Sequence, residues 1–202
     1  RRTDRVMKKL LTILCLVFQT SYAYSQNLPY DGQLEMFYDS GQLQSRQNYK
    51  DGVLNGLTEL YYDNGNLKGR GNYKKGNKDG LFEAYYENSQ LKFKENFKDG
   101  VLNGLTESHY DNSQLKHRGN YKNGEYDGSR EAYYENGQLK FKENYKDGVL
   151  DGLYESYYVN GQLEKRGSLK DGKEEFVWVF FRENGNFIGA DMYEDGKLVV
   201  VE

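Results

Sequence analysis

The chain has 202 residues, with a single cysteine, a single proline and a formal net charge of −3. That balance gives no basic field for nucleic acid or anionic lipid, and one cysteine cannot build a disulfide framework. The mean hydropathy of −0.96 is low for a protein with one compact core, but 15% of the residues are aromatic, too many for a disordered chain. We therefore expect a folded but thin molecule.

The first 25 residues have the pattern of a secretory signal peptide. Two lysines precede an apolar run from Leu10 to Phe18, and small residues follow at Ala23 and Ser25. Residues 1–25 are therefore predicted to hold a few upstream residues and a signal peptide helix, cleaved after Ala23 or Ser25. The protein would be exported and be periplasmic, attached to the cell surface or secreted. Because the apolar run is shorter than the roughly 20 residues that cross a bilayer, no membrane span is expected after cleavage.

Cleavage after Ser25 changes the charge and the thiol content. It leaves 23 of the 28 basic residues and 30 of the 31 acidic ones, a net charge of −7, and it removes Cys15. The mature chain would then have neither a disulfide nor a cysteine metal site, and it is not expected to bind nucleic acid.

A repeat of 24 residues fills the rest of the chain. After a short lead at residues 26–31, we predict seven repeats over residues 32–199, which begin at positions 32, 56, 80, 104, 128, 152 and 176. Glycine stands at the first six of these positions and Phe176 at the last. The last repeat also departs from the others through Trp178 and its neighbours, so we interpret it as a C-terminal cap.

Each repeat has the pattern of a β-hairpin. In the repeat beginning at 56, two short runs flank Asn64-Gly65, for which we predict a two-residue type I′ turn. This turn would fix the register of the two strands: Tyr62 opposite Leu67, Tyr61 opposite Lys68, Leu60 opposite Gly69 and Glu59 opposite Arg70. In later repeats the same register sets a glutamate opposite a basic residue. These pairs are Glu83 with Lys94, Glu107 with Arg118, Glu131 with Lys142, and Glu155 with Arg166.

Alternate repeats are more alike than neighbouring ones. Residues 85–100 and 133–148 are nearly identical, and they share Glu95 and Glu143, whereas the intervening repeats carry Gly71, Gly119 and Gly167 at that place. The true unit is therefore predicted to be a pair of hairpins, 48 residues long. Stacking such pairs lets each hairpin cover the next, since one hairpin alone is only marginally stable in water.

The run "YKDGVLNGLTELYYDNGNLKGRGNYKKG", which begins at Tyr49, resembles the MORN repeat family in its bacterial variant. The Y-x-x-G-x-x-x-G and Y-Y-x-N-G-x-L-K patterns carry the resemblance. It implies an all-β fold, an elongated single-layer antiparallel sheet of successive hairpins. It also implies a binding or scaffolding role without catalysis or cofactor, and many bacterial members are catalogued as antitoxin components of toxin-antitoxin systems.

One row of aromatic residues is the candidate binding surface. We call it the aromatic row; it comprises Tyr61, Tyr85, His109, Tyr133, Tyr157 and Phe181. In a sheet of hairpins these residues would recur every two strands, about 10 Å apart. Tyrosine combines apolar area with a polar tip and is enriched in interface hot spots. The competing interpretation is that these rings only cover the polar face of a thin sheet.

No catalytic, cofactor-binding or metal-binding residue is expected. The two histidines, His109 and His117, would lie on opposite faces in the predicted register, which argues against a shared metal site or a catalytic triad. Three functions remain open: a protein-binding scaffold, an antitoxin or immunity component that neutralises a toxin, and a repeat protein that binds envelope glycans. The first is preferred, with another protein as the partner.

Overall fold

The computed structural model describes residues 31–199 as one open antiparallel β-sheet, without a helix in that range. The predicted signal peptide lies outside the described residues. Within 31–199 there is no helix of the length and apolar character needed to cross a membrane. The strands are β1 (Gly32–Phe37), β2 (Leu43–Lys50), β3 (Val53–Tyr61), β4 (Leu67–Lys74), β5 (Asn77–Tyr85), β6 (Leu91–Lys98), β7 (Val101–Leu102), β8 (Gly104–His109), β9 (Leu115–Lys122), β10 (Glu125–Tyr133), β11 (Leu139–Lys146), β12 (Val149–Leu150), β13 (Gly152–Tyr157), β14 (Leu163–Lys170), β15 (Lys173–Phe181), β16 (Phe187–Glu194) and β17 (Lys197–Leu198).

The strands follow one another across the sheet in chain order. Each pairs antiparallel with the strand before it and the strand after it, and β7 with β8, like β12 with β13, are two parts of one interrupted strand. Seven hairpins result, the last being β15 with β16, and the two-residue strand β17 pairs with the end of β16. The predicted all-β architecture of successive hairpins in a single layer is confirmed.

The tight two-residue turns lie between hairpins rather than within them. Asp51 and Gly52 have φ of 51° and 74°, and Lys50 pairs with Val53 across them. Positive φ at both central residues is the geometry of a type I′ turn. The same pair of positive φ values recurs at each later turn of this kind, as far as Asp195-Gly196.

The predicted type I′ turn at Asn64-Gly65 is wrong. The loop has three residues: the Gly65 N–H donates to Tyr62 O at 2.9 Å, and the Tyr62 N–H donates to Asn66 O at 2.8 Å. Of Asn64 and Gly65, only Gly65 has positive φ, 84°. This is the arrangement of a type I turn closed by a bulge at a left-handed residue, which also favours Asn-Gly and therefore gives the same sequence signal.

The extra loop residue shifts the register beside the turn. Tyr61 pairs with Leu67, not with Lys68 as predicted, and a bulge separates this pair from Leu60 with Gly69. Beyond the bulge the predicted register is correct, including Glu59 opposite Arg70. The error is therefore local to the turn.

The buried side chains share one face of the sheet, which we call the packed face. Phe82, Ala132 and Trp178 are the buried apolar residues of the described range. Phe82 lies opposite Gly71 on the next strand, and the Trp178 ring lies over Gly167 in a corresponding way. The opposite face carries Glu59 and Arg70 with their counterparts in the other repeats, and we call it the ladder face.

The 48-residue period has a packing cause on the packed face. A Cβ atom built on Gly71 would lie 2.2 Å from the Phe82 ring, and one on Gly167 would lie 2.1 Å from the Trp178 ring. These rings therefore occupy the space that a side chain would need. Alternate repeats require glycine because the next hairpin lays an aromatic ring over that position.

Candidate functional site

A continuous row of alternating charges runs across the ladder face. On each successive strand an acidic residue pairs with a basic residue of the neighbouring strand. The alternation holds both within hairpins and between them. We call it the charge ladder; it comprises Glu35, Arg46, Glu59, Arg70, Glu83, Lys94, Glu107, Arg118, Glu131, Lys142, Glu155 and Arg166. It ends where Arg166 faces Val179.

Most neighbours in the charge ladder are close enough to form ion pairs. Arg70 lies 2.6 Å from Glu83, Lys94 lies 2.7 Å from Glu107, and Arg118 lies 2.6 Å from Glu131. The within-hairpin pairs predicted from the sequence are thus part of a longer array. Its charges neutralise one another locally, so the ladder face has no strong field of one sign.

The tyrosines of the aromatic row lie on the ladder face beside the charge ladder. The hydroxyl groups of Tyr85, Tyr133 and Tyr157 donate to Glu83, Glu131 and Glu155 at 3.1, 2.7 and 3.2 Å, in each case to the carboxylate two residues earlier. Burial raises the pKa of these tyrosines, and the hydrogen bonds to carboxylates raise it further. Each phenol is therefore neutral at physiological pH and its ring is held in one orientation.

A second row of tyrosines fixes the backbone of the aromatic row. A tyrosine hydroxyl from the preceding repeat donates to the carbonyl oxygen of every aromatic-row residue, at 2.7 to 3.0 Å. The donors are Tyr38, Tyr62, Tyr86, Tyr110, Tyr134 and Tyr158. Sequence reasoning missed this role, although the repeated Tyr-Tyr pair was its signal.

His109 and Phe181 occupy the aromatic row without a phenol hydroxyl. Their carbonyls accept the same tyrosine hydrogen bonds as the others, but within the described residues the His109 Nδ1 is buried without a hydrogen-bond partner. All six members are half-buried. They do not form one cluster: successive members are two strands apart, about 10 Å, which suits contacts along an extended surface rather than chemistry at one point.

His117 lies on the packed face, opposite Ser108, whose Oγ is 3.4 Å from His117 Nδ1. His109 is the next residue after Ser108, so its side chain belongs to the other face. Burial lowers the pKa of His117, and Arg130 and two lysines lower it further. In residues 31–199, no three His, Cys, Asp or Glu side chains are grouped closely enough to hold a metal ion.

The packed face contains two shallow depressions that sequence reasoning missed. One, of about 320 Å³, is lined by Tyr73, Phe82 and Phe93 among others. The other, of about 260 Å³, is polar and is lined in part by Glu95 and His117. The sequence did contain a signal for the second depression. Arg130 stands at the place in the 48-residue unit that Phe82 and Trp178 occupy in the units before and after it.

The model of the family described as MORN repeat variant matches residues 30–51, 54–75, 78–99, 102–123, 126–147 and 150–171. Together these stretches cover more than half of the chain, and each spans one hairpin of the sheet. This chain belongs to the MORN repeat variant family. The matched stretches end before β15, so the last hairpin lies outside them.

A comparison of the sequence with curated proteins gave no match. MORN repeats form non-enzymatic modules that commonly bind proteins or membranes. In this MORN repeat variant protein, the regular feature available for such binding is the ladder face, with its aromatic row and its charge ladder.

Proposed function

We propose that this protein is an exported, non-catalytic scaffold that holds another protein along its ladder face. The observation that carries the proposal is the fixed orientation of the aromatic row. Carboxylates hold the phenols of Tyr85, Tyr133 and Tyr157, and tyrosines of the preceding repeats hold the backbone. Side chains ordered before binding lose less conformational entropy when a partner docks.

A second apolar row on the same face supports a protein partner. Leu57, Leu81 and Leu105 are 39%, 43% and 36% exposed and lie two residues before the glutamates of the charge ladder. The charge ladder is thus flanked by aromatic rings on one side and leucines on the other. A partner surface that covers both rows would bury apolar area on either side of the charge ladder and pair polar groups with the charges between, and protein interfaces combine these two kinds of contact.

The net charge favours a protein partner over a membrane. The full chain carries a net charge of −3, and the basic residues of the charge ladder already have acidic partners. The charge ladder itself therefore offers no free cluster of basic residues, whereas recognition of anionic lipid headgroups usually requires clustered lysine or arginine.

Affinity capture from an extract of the producing cells tests the proposal. The bait is compared with a variant in which Tyr61, Tyr85, Tyr133 and Tyr157 are changed to serine, after circular dichroism has verified its fold. The control changes four exposed lysines at the other end of the hairpins to serine: Lys50, Lys74, Lys98 and Lys146. We expect a protein partner that the control retains and the tyrosine variant loses.

Equal capture by both variants would place binding elsewhere and contradict the proposal. Capture that free oligosaccharide abolishes would instead favour a glycan ligand. Export has its own measurement: mass spectrometry of the protein expressed from Met7 should find Tyr24 or Gln26 at the N-terminus, and an uncleaved leader would argue against secretion.

A further inference from the structure

The polar depression on the packed face lies in the middle of the sheet, away from the aromatic row. Its volume is about 260 Å³ and its lining spans β6, β8, β9 and β10. Glu95 and Phe93 stand on one side, Arg130 and Tyr126 on the other, and His117 and Tyr121 between them. It is independent of the proposed protein-binding face.

The depression exists because Arg130 replaces an aromatic ring. Phe82 and Trp178, one 48-residue period before and after it, cover Gly71 and Gly167 with their rings. At Gly119 the nearest atoms to a built Cβ are instead the edge of Tyr126 at 2.9 Å and the Cγ of Arg130 at 3.6 Å. The Arg130 guanidinium reaches on to Glu143 at 2.7 Å, so it does not close the surface as a ring would.

Glu95 differs from Glu143, its equivalent 48 residues later, in lacking partners. Glu143 accepts hydrogen bonds from Arg130 at 2.7 Å and from the Tyr145 hydroxyl at 3.1 Å. The residues that correspond to these two donors for Glu95 are Phe82 and Phe97, neither of which can donate. Within residues 31–199 the half-buried carboxylate of Glu95 forms no ion pair or hydrogen bond.

Elsewhere on the packed face, lysine ammonium groups of this chain lie over the aromatic rings. The Lys78 ammonium lies 4.9 Å from the Phe82 ring centroid and 4.4 Å from that of Phe97. The Lys165 ammonium likewise lies 5.0 Å from Tyr154 and 5.5 Å from Trp178. In the middle of the sheet, Tyr126 and His117 occupy the positions that correspond to these two lysines.

We propose that this depression binds an alkylammonium group supplied from outside the chain, with Glu95 as its carboxylate partner. The Tyr126 ring already faces the Arg130 guanidinium at 5.3 Å, so the Tyr121 ring is the one that adds cation–π attraction. The hydroxyl groups of Thr106 and Ser108 line the same space. Two sources share this chemistry, the side chain of a lysine in a partner peptide and a free diamine. Arg130 is already paired with Glu143 and leaves Glu95 available.

Binding is measured by NMR titration of the full-length, ¹⁵N-labelled protein with three probes. These are the peptide acetyl-Gly-Lys-Gly-amide, the same peptide acetylated on the lysine, and cadaverine. We expect the unmodified peptide or cadaverine to shift the amide signals of residues 93–130, with a dissociation constant on the order of millimolar, as befits one charge-assisted contact. The acetylated peptide should not bind.

Two substitutions and a control assign the site. Glu95→Gln should weaken binding about tenfold, since it keeps the shape and removes the charge. Phe97→Tyr should also weaken it, because the new hydroxyl can donate to Glu95 as Tyr145 does to Glu143. Glu87→Gln changes an exposed turn residue and should leave binding unchanged.

Tighter binding of the peptide than of cadaverine would identify a partner's lysine as the source, and the reverse order a free diamine. Either order supports the proposal. It would be overturned if Glu95→Gln bound as well as the unchanged protein, if the acetylated peptide bound equally, or if neither amine gave saturable shifts.

Discussion

At the scale of single residues, the same place in the repeat can hold different residues at different cost in free energy. The third loop residue shows this for backbone conformation. It is Gly65 in one hairpin, with φ of 84°, but Ser89 and Ser113 in two others, with φ of 68° and 69°. A side chain in this left-handed conformation costs free energy that glycine avoids.

Ser89→Gly is therefore expected to stabilise the protein by roughly 0.5–1 kcal/mol, part of the relief being offset by the greater freedom of glycine in the unfolded chain. The midpoint of urea unfolding measures the change. Ser168→Gly is the matched control: Ser168 lies inside β14 without positive φ, so the same substitution should destabilise there. Destabilisation by Ser89→Gly would show that the serine is held by an interaction stronger than the backbone cost.

At the scale of the hairpin, sequence reasoning succeeded where it used pairing and failed where it used turn type. Opposite-charge pairs fixed the register around Glu59, because a one-residue slip would move every side chain to the other face. The loop at Asn64-Gly65 could not be settled in this way. Two-residue and three-residue loops both favour Asn-Gly. The longer loop is accompanied by one bulge, and the register beyond that bulge is the same for either loop.

The candidate site was predictable to the same degree. The 24-residue period predicted that the aromatic row shares one face of the sheet. The hydrogen bonds from Tyr85 and Tyr133 to carboxylates of the charge ladder show that this is the ladder face. The depression around Glu95 was not predicted, since it depends on the direction in which the Arg130 side chain leans. That direction is set by the contact with Glu143, on the partner strand of the same hairpin. The register predicts which residues face each other but not which way a long side chain leans.

Within the charge ladder, Glu131 has the most complete set of partners. It accepts a hydrogen bond from the Tyr133 hydroxyl at 2.7 Å and pairs with Arg118 at 2.6 Å and Lys142 at 3.4 Å. Burial alone would raise the pKa of Glu131, but these hydrogen bonds and cations outweigh it and hold the pKa below its ordinary value of 4.5. Below that value the unfolded chain takes up a proton before the folded one does.

It follows that Glu131 contributes stability at neutral pH that is lost as the pH falls from 4.5 through the lower folded pKa. Glu131→Gln should cost about 1 kcal/mol at pH 7, the scale of a partly exposed ion pair, and should flatten the fall of stability on the acid side. Urea unfolding at a series of pH values measures both. Glu135→Gln, an exposed turn residue, is the control. An unchanged acid limb in the Glu131 variant would contradict the assignment.

At the scale of the whole molecule, the sheet is one-dimensional, because each strand pairs only with its neighbours in the sequence. No strand in the described range joins distant parts of the chain. A local defect should therefore loosen the hairpins near it and leave the far end of the sheet closed, as in other repeat proteins. A compact domain would instead lose stability throughout.

Gly71→Ala and Gly167→Ala introduce the same clash at opposite ends of the sheet, against Phe82 and Trp178. Each should destabilise by about 1–3 kcal/mol, the usual cost of overpacking. Hydrogen exchange should show protection lost around β4 and β5 in the first variant and around β14 and β15 in the second. Gly189→Ala is the control, since a Cβ there meets nothing within 4 Å. If both clashes lowered protection equally in all strands, the sheet would unfold as one cooperative unit and the one-dimensional description would fail.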